Sequence, residues 1–104
     1  MYKLCFYVPH THLEQVKEAV FAAGGGRIGN YDSCAWQVAG QGQFRPLQGS
    51  TPFLGNSNTL EIVDEYRVEM VVENTCIEAA IAALLAAHPY ETPAFDYWQI
   101  NHQI

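Results

Sequence analysis

The stretch "MYKLCFYVPHTHLEQVKEAVFAAGGG", residues 1–26, predicts a β-strand followed closely by an amphipathic helix. Apolar or aromatic side chains alternate with others from Tyr2 to Val8, a period typical of a strand, and Pro9 ends the run. Gly24 supplies the residue that ends the helix. The apolar residues of this helix recur at the spacing that forms one buried face: Leu13, Val16, Ala19, Val20 and Ala23.

The second half of the chain contains the same two kinds of element. Residues 59–73, "TLEIVDEYRVEMVVE", alternate as a long strand, residues 74–88, "NTCIEAAIAALLAAH", form an apolar helix, and residues 93–100, "PAFDYWQI", alternate again. Pro89 forbids continuation of the second helix. Each helix follows a threonine with a glutamate three positions on, at Thr11 with Glu14 and at Thr75 with Glu78, which predicts two capping boxes.

Between the two halves, residues 31–46, "YDSCAWQVAGQGQFRP", predict one more strand. Cys34, Trp36 and Val38 recur at period two, and Gly40 and Gly42 then indicate a bend or bulge. Residues 47–58 are rich in Gly, Ser, Asn and Pro and show no period, which indicates a loop. Its length is typical of functional or disordered segments and exceeds that of a plain turn.

The predicted order is β-α-β-β-α-β. We expect a single domain, residues 1–104, of the α+β class: a ferredoxin-like sandwich with an antiparallel sheet of spatial order 4-1-3-2 and both helices on one face. This topology places three segments at one end of the sheet, here called the upper end. They are the end of the first strand, the loop between the second and third strands, and the junction between the second helix and the last strand.

Composition restricts the partners of the chain. The net charge is −6 with only five Lys plus Arg, which argues against nucleic acid or an anionic membrane as the main partner. No apolar run approaches the roughly 20 residues of a membrane-spanning helix. The three cysteines are an odd number without CxxC spacing, and no signal peptide is visible, so we expect a reduced, cytoplasmic protein.

Three motifs carry a family resemblance: "GRIGNYDSC" at residues 26–34, "GQGQFRP" at 40–46 and "HPYETPAFD" at 88–96. With their surroundings they resemble the small domain inserted in the NGG-one-interacting-factor-three-like proteins, here as a whole chain. The resemblance implies a ferredoxin-like fold similar to the CutA and PII proteins, whose sheets pack into trimers. Full-length family members carry a dinuclear metal centre, but its ligands lie in the flanking domain, so their hydrolase-like chemistry does not transfer to these residues.

Four side chains at the upper end form a candidate site for a divalent metal ion: His10, His12, His88 and Glu91. Imidazole and carboxylate groups suit zinc or copper. The alternative for His88 is structural, because a histidine at a helix C-terminus interacts favourably with the last carbonyls and the helix dipole.

A second set of residues, Phe44, Arg45, Tyr90 and Glu91, is the candidate binding site for a small ligand. It combines the FRP motif, the loop of residues 41–58 and the HPYE turn at the upper end. No catalytic residue is predicted, since Cys34 resembles a small core residue and no serine lies near a histidine. The acidic row Glu61, Glu65 and Glu69 is predicted to be a solvated or subunit-facing surface.

The sheet face opposite the helices mixes apolar and charged side chains, which predicts burial against another copy as a dimer or trimer. The residues predicted on this face include Lys3, Cys5, Tyr7, Val63, Val71, Trp98 and Ile100. We therefore expect a non-catalytic, oligomeric binding or regulatory module with its site at the upper end. The alternative is a metal-binding protein or a metal-dependent enzyme whose site is assembled between subunits.

Overall fold

The computed structural model describes residues 1–101 of the chain. Four strands and two α-helices follow the predicted order, with a short 3-10 turn at His10–His12 before the first α-helix. The elements are β1 Tyr2–Pro9, α1 Leu13–Ala22, β2 Trp36–Phe44, β3 Glu61–Val72, α2 Ile77–Ala87 and β4 Phe95–Gln99. Neither α-helix is long and apolar enough to cross a membrane within the residues described.

The strands form one antiparallel sheet in the order β2-β3-β1-β4, which confirms the predicted topology and the ferredoxin-like class. The central strand β1 pairs with β3 on one side, for example Leu4 with Met70, and with β4 on the other, Leu4 with Tyr97. At the upper end the pairing with β1 extends to the residue before β4, where the Tyr7 N–H donates to the Ala94 carbonyl at 3.3 Å.

The core lies between the sheet and both helices, on one face of the sheet. Alternate residues of β1 and β3 point into it, as the period of two requires, and the stripes of both helices cover them. Its buried members are Leu4, Phe6, Val8, Leu13, Val16, Val20, Val68, Met70, Val72, Ile77, Ala80 and Leu84.

Both predicted capping boxes are wrong. Helix α1 begins after His12, and the Thr11 hydroxyl is hydrogen-bonded to the ring Nδ1 of His12 instead of a backbone amide. Helix α2 begins after Cys76, again without a side-chain cap. In each case the residue after the threonine, His12 or Cys76, occupies the N-cap position, so the threonine lies one residue too early to cap the first turn. The predicted end of α1 is confirmed, with Gly24 at a φ of 108°.

Strand β2 is more regular than the sequence suggested. It pairs without interruption from Trp36 to Phe44, so Gly40 and Gly42 make no bulge and residues 41–44 belong to the strand, not to a loop. The upper part of β2 and β3 projects as an arm beyond the end of β1, because β3 pairs with β2 from Glu61 but with β1 only from Glu65. The described chain is accordingly elongated, 46 × 24 × 23 Å, with a radius of gyration of 14.5 Å against roughly 13 Å for a compact domain of this size.

Two adjacent leucines of α2 test the core. Leu84 is fully buried and Leu85 is 46% exposed. We expect Leu84→Ala to lower the free energy of unfolding by about 2–5 kcal/mol, because it removes buried methyl groups and leaves a cavity. Leu85→Ala is the matched control and should cost less than about 1 kcal/mol. Urea denaturation measures both, and equal losses would contradict this placement of the core.

Candidate functional site

A cavity of about 550 Å³ lies at the upper end, between the end of β2, the β2–β3 connection and the turn that follows α2. Its size is typical of sites for small organic ligands, and its lining is mainly apolar. The lining residues are Tyr7, Gly42, Gln43, Phe44, Arg45, Pro46, Leu47, Ser50, Pro52, Phe53, Leu54, Glu65, Tyr90, Glu91, Thr92 and Ala94.

His88 holds the turn after α2 against the central strand. It is only 7% exposed, and its Nε2 is 2.7 Å from the Tyr7 carbonyl oxygen while its Nδ1 accepts the Tyr90 backbone N–H at 3.1 Å. A carbonyl can only accept and an amide can only donate, so the imidazole is the neutral tautomer with its proton on Nε2. Burial lowers the pKa of His88 from its ordinary value.

Tyr90, two residues after His88, lines the cavity. Its hydroxyl donates to the Glu65 carboxylate, with 2.7 Å between Oη and Oε2. Burial, and then the bond to Glu65, raise the pKa of Tyr90 well above its ordinary range, so it remains a hydrogen-bond donor at neutral pH. A Cβ added to Gly42 would overlap the Glu65 carboxylate, so the glycine provides the space that this side chain occupies.

Glu91 closes the other side of the cavity. Both of its carboxylate oxygens accept the Thr51 backbone N–H, at 3.1 and 3.0 Å, and this contact ties the β2–β3 connection to the turn after α2. At its base the same connection is closed by the Asn58 N–H, which donates to the Pro46 carbonyl at 2.6 Å. Glu91 therefore shapes the cavity through a backbone contact.

Aromatic rings form much of the wall. The centroid of Tyr90 lies 5.8 Å from that of Phe44 and 6.4 Å from that of Phe53, both in tilted orientations. His12 packs edge-on against the outer side of Phe53, with 5.3 Å between centroids. Arg45 is exposed at the rim and makes no ion pair with a carboxylate of residues 1–101.

The structure brings the predicted ligand residues Phe44, Arg45, Tyr90 and Glu91 into one cavity lining. The sequence reasoning missed Glu65, which it assigned to a solvated or subunit-facing surface, and it missed the lining role of Tyr7. One signal could have indicated Glu65: the glycine Gly42 in a neighbouring strand, since glycine within a strand marks close approach of another group.

The predicted metal set is not assembled. Within residues 1–101, no three His, Cys, Asp or Glu side chains come together in a way that could hold a metal ion. Both ring nitrogens of His88 are engaged, Glu91 binds a backbone amide, and Nδ1 of His12 contacts Thr11. Nδ1 of His10 lies 3.4 Å from the Asp64 carbonyl oxygen. Within the described residues, His10, His12, His88 and Glu91 are therefore not arranged as a metal site.

Fold and cavity together define a class: a ferredoxin-like α+β unit with a small-molecule-sized cavity where the β2–β3 arm meets the turn after α2. The CutA1 protein of Pyrococcus horikoshii has this fold, with a TM-score of 0.70 over 100% of this chain and 87% of that one, at 13% identity. The PII-like protein CutA of Nostoc sp. PCC 7120 gives a TM-score of 0.63 over 97% and 82%, at 18% identity.

Closer similarity lies with larger proteins. Over 99% of its length the chain is 42% identical to a protein of Halalkalibacterium halodurans named GTP cyclohydrolase 1 type 2 homolog, of which it spans 28%. A Bacillus cereus protein related to NIF3 superposes with a TM-score of 0.82 at 36% identity, covering 97% of this chain and 26% of that one. The chain is thus homologous to one segment of NIF3-related proteins, which confirms the predicted resemblance. No protein-family model matches it.

The neutral state of His88 predicts a pH dependence of stability. Its pKa is lowered on folding by burial, opposed by the Tyr7 carbonyl and by Glu65 and assisted by His12. The unfolded chain therefore takes up a proton first as pH falls. This contribution should be complete above the ordinary pKa of 6.5 and should be lost as pH falls from there through the lowered value in the folded state.

Urea denaturation between pH 8 and pH 5 measures this loss. His88→Gln should cost on the order of 1–3 kcal/mol at pH 8, because it disturbs buried hydrogen bonds, and should flatten the pH dependence. His10→Gln, at an exposed histidine nearby, is the control and should keep the slope. An unchanged slope in His88→Gln would contradict the assignment.

Proposed function

We propose that the chain is a non-catalytic, oligomeric binding module and that the cavity at the upper end is its ligand site. The observation that carries this proposal is the cavity itself, which joins four separate stretches of the chain around an apolar, aromatic wall with a few polar groups. That combination is characteristic of small-molecule sites.

The chemistry of the lining favours binding over catalysis. Among the described residues that line the cavity there is no histidine and no cysteine. Its one hydroxyl-to-carboxylate pair, Tyr90 with Glu65, has a tyrosine whose pKa is raised, the opposite of what a general base or an activated nucleophile needs. Its second carboxylate, Glu91, is held by the Thr51 amide.

Assembly is supported by the surface. Trp36, Val38 and Trp98 lie on the sheet face opposite the helices and are 60%, 44% and 45% exposed. The projecting β2–β3 arm exposes Leu60 and Ile62 as well. A domain of this size rarely leaves such surface in water, so we infer that a second copy of the chain covers it.

The name of the larger relatives suggests a further role. They are called GTP cyclohydrolase homologs, and the chain spans about a quarter of their length. In a protein of that kind this segment would serve as a ligand-sensing or assembly module beside a separate catalytic part. The alternative of a metal site formed between subunits would draw on the exposed His10 and the half-buried His12 at the upper end.

A fragment screen by nuclear magnetic resonance tests the binding proposal. We expect aromatic fragments to shift the amide signals of Thr51, Tyr90 and Glu91. Phe53→Ala should weaken the affinity for these fragments about tenfold, because it removes part of the apolar wall. Tyr31→Ala removes a 75% exposed aromatic ring that does not line the cavity, and should change nothing. Zinc is included as one probe.

The results separate the two functions. Binding of fragments with shifts confined to the cavity supports the module. If zinc alone binds, with shifts centred on His10 and His12, the metal alternative replaces it. If no probe shifts the cavity signals at millimolar concentration, the proposed function is wrong.

Sedimentation at micromolar concentration tests assembly. We expect a dimer or trimer, and we expect Trp36→Glu to weaken association at least about tenfold, because it places a charge in an apolar contact. Leu85→Glu changes a similarly exposed apolar residue on α2, away from the sheet face, and should leave assembly intact. A monomeric parent chain, or equal effects of both variants, would overturn the inferred interface.

A further inference from the structure

The Glu65 carboxylate is a hydrogen-bond acceptor at the cavity without a cationic partner. It makes no ion pair within residues 1–101, and its one hydrogen bond there is to the Tyr90 hydroxyl through Oε2. Oε1 packs against Gly42, where an added Cβ would overlap it, and accepts no hydrogen bond from the described residues. Two carboxylate oxygens offer about four acceptor positions, so most of the accepting capacity of this group is unused.

The remaining charged groups of the lining differ from Glu65. Glu91 already accepts a backbone amide with both oxygens, and Arg45 lies exposed at the rim. The lining therefore contains two carboxylates and one guanidinium. With a chain net charge of −6, this local excess of acceptors favours a ligand with hydrogen-bond donors or positive charge over an anion.

The aromatic residues around Glu65 add a restriction on shape. The rings of Phe44 and Phe53 both lie against that of Tyr90 in tilted orientations, with 5.8 and 6.4 Å between centroids. Such surfaces pack best against a flat, conjugated group, and a cationic one gains further from the ring electrons.

From these observations we propose that the cavity binds a planar ring whose edge carries two adjacent N–H donors, and that Glu65 accepts both. Aromatic rings that carry an amidine or guanidine group present this edge, and so do rings with an amino group beside a ring nitrogen that bears a hydrogen. The proposal rests on the proposed function and specifies its ligand class. Two parallel N–H to carboxylate bonds are stronger and more selective than one, which distinguishes this class from simple ammonium ions.

Calorimetric titration of the 104-residue chain with two matched pairs of probes tests the donor edge. Benzamidine offers two N–H groups and a charge, whereas benzamide replaces one nitrogen with an oxygen. Guanosine offers a neutral donor pair, whereas adenosine presents a donor beside an acceptor. We expect the first member of at least one pair to bind at least about tenfold more tightly, and the pair that responds tells whether the edge is charged or neutral.

Two variants with matched controls assign the effect to Glu65. Glu65→Gln keeps the shape but replaces an acceptor oxygen with a donor, so it should abolish the preference, whereas Glu69→Gln on the same strand face lies outside the cavity. Gly42→Ala should weaken binding at least about tenfold by displacing the carboxylate. Gly40→Ala, where an added Cβ meets nothing within 4 Å, should not.

The outcomes are distinct from those of the fragment screen. Retention of the preference in Glu65→Gln, or equal binding within both probe pairs, overturns the ligand class while leaving a cavity that binds other fragments. Failure of all four probes, with fragments of another kind bound in the cavity, likewise overturns only this inference. Loss of the preference in Glu65→Gln but not in Glu69→Gln establishes it.

Discussion

The two hydrogen bonds of the His88 ring are the constraint on which the site depends. One joins the ring to the carbonyl of the central strand at Tyr7, and the other receives the backbone N–H of Tyr90. The turn contains two prolines, which have no backbone N–H to donate, so the buried imidazole supplies the hydrogen bonds that fix its position. The direction of Tyr90, and through it the position of Glu65, follows from this one side chain.

The same arrangement explains why the upper end has a cavity and not a packed core. The cavity lies on the sheet face opposite the helices, the side to which Tyr7, Gly42 and Glu65 belong, so no helix covers it. The connection folds back instead and is held by Glu91 at one point and by the contact between Asn58 and Pro46 at another. Space remains between these fixed points, lined by the rings that the connection and the turn contribute.

The similarity to CutA proteins concerns the fold, whereas the similarity to NIF3-related proteins extends to the sequence. CutA proteins share the sheet and helices at identities too low to transfer any residue role, because layered packing tolerates many side chains. The NIF3-related relatives share much more of the sequence, yet the chain spans only about a quarter of their length. The activity of such a protein therefore has to be argued from its own complete structure, and the role of this segment from the cavity.

The sequence by itself determined the layers, because hydrophobic period and chain-breaking residues act locally: the β-α-β-β-α-β order, the strand faces and the end of α1 at Gly24 could be read from it. The topology predicted from the sequence also placed Phe44, Arg45, Tyr90 and Glu91 at the upper end of the sheet. Only the tertiary structure decided what each group contacts. Glu65 was missed because its contact with Tyr90 depends on distances between segments far apart in the chain, which periodicity does not encode. The capping boxes failed because each helix begins one residue later than the motif requires.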